Sequence, residues 1–71
     1  MEKQKLLFQI ERETKNTVRY QEVTLEMNEG GSTFRILDMT DAIVGTLYIK
    51  KKTTGEHIPE RIIVEIYPST N

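Results

Sequence analysis

No cysteine occurs among the 71 residues. Disulfide staples are therefore excluded, and so are Cys-ligated zinc and iron–sulfur centres. There is one histidine, His57, too few for a histidine-rich metal site. Neither sign of charge is in surplus: 10 Lys and Arg stand against 11 Asp and Glu, for a net charge of −1. That balance removes the long-range attraction expected of a dedicated nucleic-acid coat protein. No apolar run approaches the roughly 20 residues needed to span a bilayer as a helix. The stretch after Met1-Glu2-Lys3-Gln4-Lys5 is interrupted by Gln9 and has no small-residue cleavage site behind it, so it does not read as a signal peptide and the expected location is cytoplasmic. Helical periodicity is also missing: no segment keeps apolar residues at i, i+3, i+4 and i+7 over three turns. The two prolines, Pro59 and Pro68, lie at the ends of extended segments, where a missing N–H costs no ladder bond.

What the chain does have is alternation, the period-2 signature of half-buried strands, five times over. Leu6, Phe8 and Ile10 share one side of the first run, with Lys5, Gln9 and Glu11 opposite. Glu13 to Thr17 supplies turn chemistry, with Asn16 placed for a left-handed conformation. Val18 and Tyr20 open the second run, but Val23, Leu25 and Met27 continue it in the opposite parity. A β-bulge near Gln21-Glu22 would restore all five to one face. Asn28-Glu29-Gly30-Gly31-Ser32 is the strongest turn, because glycine takes positive φ without steric cost. Thr33–Leu37 follows as a strand with Phe34 and Ile36 inward, and Asp38 to Asp41 breaks it. Thr40 to Val44 is long enough for one helical turn. Ile43–Lys50 is the fourth strand, with Ile43, Leu47 and Ile49 on the face of Gly45, a glycine that marks a bend. Lys51 to His57 reads as a polar loop, and Arg61–Tyr67 as the last strand, with Ile62, Val64 and Ile66 inward.

These runs predict one all-β domain over residues 1–71, with Met1–Gln4 and Ser69–Asn71 frayed. The expected fold is a five-stranded antiparallel meander, either a small open barrel or a strongly bent sheet. With so short a chain, only about 60% of the unfolded surface is buried, and such scaffolds commonly lean on a metal, a disulfide or a partner.

Chemistry-bearing clusters are sparse. His57 lies in a polar loop with Glu56 and Glu60, an ordinary solvated setting. Asp38 and Asp41 are spaced for side-chain bonds to their own backbone. Gly30-Gly31-Ser32-Thr33 lacks the lysine and the following helix of a phosphate-cradling loop. Ser32 and Ser69 are the only serines, one in a turn and one in the tail, and neither has a base beside it in sequence. No catalytic residue, metal ligand or cofactor is expected, and the chain reads as non-enzymatic.

Two binding readings remain. Leu7, Leu37, Val44, Ile63 and Tyr67, with Tyr48, all point away from the expected core, which suggests a surface covered by a second copy or another protein. The alternative is nucleic acid held by a basic and aromatic sheet face: Arg19, Arg35, Tyr48 and the run Lys50, Lys51 and Lys52. On that face five cations (Lys5, Arg19, Arg35, Lys50, Arg61) meet four carboxylates (Glu11, Glu22, Glu26, Glu65), an excess of one charge.

Lys15-Asn16-Thr17-Val18-Arg19-Tyr20, followed by Gly45-Thr46-Leu47-Tyr48 and the β-rich end from Pro59 to Ile66, resembles a group of small uncharacterised prokaryotic proteins. The likeness spans most of the chain apart from Val23 to Ala42. It implies a compact all-β domain and carries no activity, cofactor or site residue with it. The reading of the sequence is therefore a non-enzymatic interaction module, with nucleic-acid binding as the alternative and no membrane association.

Overall fold

The computed structural model describes residues 1–70. Two long strands organise it: β1 (Gln4–Glu13) and β2 (Thr17–Asn28) pair antiparallel, with Phe8 opposite Glu22 and Ile10 opposite Tyr20. Their connection is closed by Thr14, whose amide and hydroxyl both donate to the Thr17 carbonyl at 2.8 and 3.1 Å. Asn16 is not left-handed, since among the described residues only glycines have positive φ. β2 continues through a two-residue turn into β3 (Gly31–Ile36), which pairs with Val23–Asn28. Gly31 takes φ +124° there, a value L side chains rarely adopt.

β4 (Thr46–Lys50) returns to the same edge of β2, against Thr17–Gln21. β3 and β4 thus form one long interrupted strand, and residues 37–45 loop out between them. A four-residue helical turn, α1 (Lys51–Thr54), begins the crossover to β5 (Arg61–Ile66), which pairs antiparallel with Gln4–Gln9 of β1. The result is an open, antiparallel, five-stranded sheet in the order β3-β2-β1-β5, with β4 beside β2. The all-β bent sheet is as expected. The order is not that of a nearest-neighbour meander: β4 goes back to β2, and β5 places Ile63 directly opposite Leu7 without closing a barrel.

The core lies on the sheet face that bears Leu6, Phe8, Val18 and Tyr20, all buried. Ile10, Leu47, Ile49, Ile62, Val64 and Ile66 pack around them, and Ile58 of the crossover closes over the top. Each such side chain contributes about 1.5–3 kcal/mol when fully buried. The crossover is tied down at both ends. The Tyr20 hydroxyl donates to the Pro59 carbonyl at 2.8 Å, and the Lys51 amide donates to the Asn16 carbonyl at 2.8 Å. Burial, reinforced by the negative charge of Glu13, pushes the Tyr20 phenol above its ordinary value.

Several expectations are corrected by the structure. The pairing of β2 runs unbroken from Tyr20 through Gln21 and Glu22 to Val23, so no bulge occurs there; the irregularity lies in β1, between Ile10 and Arg12. Consequently Val23, Leu25 and Met27, and with them Phe34 and Ile36, face away from the core. Ile43 lies in the excursion and is exposed rather than part of β4. The segment expected as a polar loop after Lys50 starts with the helical turn α1.

Candidate interaction surface

The parity change in β2 divides the sheet into two halves with opposite apolar faces. In the first half the apolar face is covered by the chain's own crossover. In the second half it is the other face, called here the outer face, and the chain supplies no layer over it. Ile36, Val23, Leu7 and Ile63 form one row across β3, β2, β1 and β5 on that face. Val23 in the middle is only 4% exposed, whereas Ile63 at the edge is 69% exposed. The next positions, Leu25 with Phe34 and then Met27, extend the patch along the hairpin, and Met27 is 78% exposed. The Arg61 guanidinium of β5 lies 4.1 Å from the centre of the Phe34 ring of β3. That single side-chain contact reaches across the outer face from β5 to β3. A cation on an aromatic face at that distance is favourable.

Glu22 marks the point where the faces change. It points to the core side opposite Phe8 and is 2% exposed. Its backbone bridges both parts of the interrupted strand: the amide donates to Gly45 O at 2.7 Å, and the carbonyl accepts from Leu37 N at 3.1 Å. Its carboxylate accepts the amides of Ile43 (3.1 Å), Val44 (2.8 Å) and Gly45 (3.0 Å). Burial opposes the charge, but the three amides outweigh it and hold the carboxyl below its ordinary pKa. Gly45 takes φ +90° where the excursion rejoins β4. At the other end of the excursion, the Asp38 carboxylate accepts the Thr40 and Asp41 amides, both at 2.9 Å. That is the local backbone bonding expected of this residue.

Of the residues expected at a protein interface, Leu7 and Ile63 are cross-strand partners on the outer face. Tyr67 is exposed beyond the end of β5, with Lys3 5.6 Å from its ring centre. Leu37 and Val44 are not part of this row; they line a depression of about 380 Å³ around the excursion, with Met39 and Ile43. Leu25, Met27, Phe34 and Ile36 were expected inward and instead form the larger part of the patch. The unbroken parity of β2 was the signal for them, had it been followed without a bulge.

The residues of the nucleic-acid reading do not converge. Arg19 and Tyr48 are cross-strand partners, with the guanidinium 5.8 Å from the ring centre, and Lys50 follows on the same side. Arg19 also lies 3.6 Å from the Glu11 carboxylate. Arg35 is on the opposite face, paired with Glu26, and Lys51 is held by Glu13 at 3.1 Å. Lys50, Lys51 and Lys52 line a shallow depression with Asn16 and Thr17.

Among the described residues, no group of three or more His, Asp or Glu side chains is placed to hold a metal ion, and no helix is long and apolar enough to cross a membrane. The Gly30–Thr33 segment is the hairpin turn and the start of β3. In comparisons with known proteins, no family model, curated protein or solved structure matches the chain. The Lys15–Tyr20 and Gly45–Tyr48 motifs do prove to be spatial neighbours, since Tyr20 pairs with Leu47 and Arg19 with Tyr48.

Proposed function

We propose that this domain is a non-enzymatic interaction module that binds protein, a second copy included, through the outer face of its sheet. The observation that supports this most directly is the exposure of Leu25, Met27, Phe34 and Ile36, with Ile63 across the buried Val23, on one face with no covering layer of its own. Large apolar side chains gathered on one face of a small domain are a recurrent mark of a binding surface. Their exposure contributes nothing to the stability of the isolated chain.

A photo-crosslinking residue tests this reading. Placed at Met27 or Ile36, it captures protein, either a second copy or another chain, while the same residue at Glu56, in the exposed crossover, captures none. Failure to capture at both patch positions overturns the proposal. A companion variant, Met27→Lys, leaves stability within about 0.5 kcal/mol of the parent, as expected of an exposed site, and abolishes capture by the crosslinking residue at Ile36.

A further inference from the structure

The strand β5 is an edge with unusual self-complementarity. It pairs with β1 alone, and its outer side has no backbone partner among the described residues. The other side of the sheet is a poorer template, because the 37–45 excursion breaks it between β3 and β4. β5 itself, Arg61–Ile66, contains no proline, lysine or bulge, the usual means by which edges are protected.

The hydrogen-bond phase of β5 follows from its register. Ile10 N donates to Glu60 O at 2.8 Å, and the residues of β1 and β5 pair so that Phe8 meets Ile62 and Leu6 meets Val64. In an antiparallel ladder every second residue turns both its amide and its carbonyl to the same neighbour. Ile62, Val64 and Ile66 therefore turn theirs to β1, and Arg61, Ile63 and Glu65 turn theirs outward.

We propose that β5 pairs antiparallel with β5 of a second copy about a two-fold axis through Ile63. This rests on reading the domain as a self-associating interaction module and names its partner and register. With Ile63 opposite Ile63 of the second copy, Arg61 falls opposite Glu65 of the second copy, and Glu65 opposite Arg61. All three outward-facing residues are then satisfied in hydrogen-bonded pairs. On the core side, Ile62 meets Val64 twice. Pro59, which has no N–H, falls just beyond the paired segment. Shifting to the neighbouring two-fold registers places Ile63 opposite Arg61 or Glu65, and the next shifts place Arg61 or Glu65 opposite itself. Only the first register pairs opposite charges.

Access is open on this side. Ile63 is exposed, and a cleft of about 460 Å³, lined by Tyr20, Ile49, Pro59, Ile62 and Val64 among others, lies beside the strand. The present partners of the charged pair are surface contacts: Arg61 with Gln9 at 3.2 Å, Glu60 at 3.6 Å and the Phe34 ring at 4.1 Å, and Glu65 with Lys3 at 2.9 Å and Lys5 at 3.9 Å. Such contacts are weak and are readily exchanged. An isologous contact of this kind closes as a dimer, and it makes the outer faces of two copies continuous across the axis.

Charge reversal tests the register, with sedimentation equilibrium on the full chain up to about 500 µM, a range that reaches weak association. The parent is expected to dimerise, and Arg61→Glu and Glu65→Arg are each expected to weaken self-association at least tenfold by setting like charges opposite. An equimolar mixture of the two variants is expected to restore the dimer, because each then supplies the charge the other lacks, and a merely structural defect would not be rescued by mixing. Circular dichroism of each variant verifies that it remains folded. Should a reversed variant fail to fold, Arg61→Gln and Glu65→Gln are measured instead, each expected to weaken the dimer. A parent that is monomeric throughout this range overturns the proposal, and so does a dimer indifferent to both reversals. A dimer indifferent to these but lost in Met27→Lys overturns the β5 register while supporting the outer-face reading.

Discussion

The Glu22 carboxylate accepts the Val44 amide at 2.8 Å, across the gap where β3 ends and β4 has not yet begun. A looped-out segment beside a sheet leaves backbone amides without ladder partners, and a buried amide left unpaired is costly. Glu22 supplies one acceptor group for three of them, with its own backbone joined to both sides of the excursion. The interruption in the edge strand is thus a bonded feature of the fold. It is also where the apolar face of β2 changes sides.

Replacement of that acceptor tests its weight. Glu22→Gln keeps the shape but exchanges an ionised acceptor for a neutral amide whose NH₂ confronts backbone donors. The expected loss is about 1.5–3 kcal/mol of unfolding free energy, the range for hydrogen bonds to charged groups. Urea denaturation measures it. Amide exchange at Ile43, Val44 and Gly45 should accelerate more than at Phe8 or Tyr20. Unchanged exchange at the three amides would show that they do not depend on the carboxylate.

Acidification acts on the same residue. The folded-state pKa of Glu22 is below its unfolded value. Its contribution is therefore fully present above the unfolded pKa and is lost as pH falls through the folded one. Stability should decline in the acid range more steeply in the parent than in Glu22→Gln, and the two curves should converge at low pH. Parallel curves would assign the acid sensitivity to other carboxylates.

Tyr20→Phe removes the hydroxyl that holds the crossover and leaves the Pro59 carbonyl without that donor. A destabilisation of about 0.5–1.5 kcal/mol is expected, the net worth of one hydrogen bond. Because the ring stays in place, the core contacts of Phe8 and Val18 should persist, and NMR shifts should change mainly around Ile58 to Glu60. A loss above about 3 kcal/mol would mean that the ring packing had changed too.

Oligonucleotide titration addresses the nucleic-acid reading. Any affinity for single strands should reside at Tyr48, Lys50 and Lys52, on one end of the sheet. Replacing Lys50, Lys51 and Lys52 together by glutamine should weaken it and flatten its salt dependence. Arg35→Gln should have no effect, since Arg35 is paired with Glu26 on the opposite face. An equal effect of Arg35→Gln would contradict this division.

The strands were legible in the chain because alternation is a local property. Leu6, Phe8 and Ile10, or Ile62, Val64 and Ile66, declare a half-buried strand without reference to anything distant, and the Gly30-Gly31 turn declares its hairpin. The core was legible to the same degree, through Phe8, Val18, Tyr20, Leu47 and Ile49. The candidate surface was legible only in Leu7 and Ile63. What local pattern could not decide was which edge each strand joins, since β4 and β5 reach their places by returning to strands already laid down. Nor could it decide between a bulge and two opposed faces in β2: both explain the parity of Val18 to Met27. The tertiary structure decides this through Glu22. Its side chain is inward because an excursion brings to it three amides that lie 21 to 23 residues later, and an unbroken register then turns Val23, Leu25 and Met27 to the outer face. Burial of a charge depends on partners brought from elsewhere in the chain, and those partners exist only once the sheet has formed.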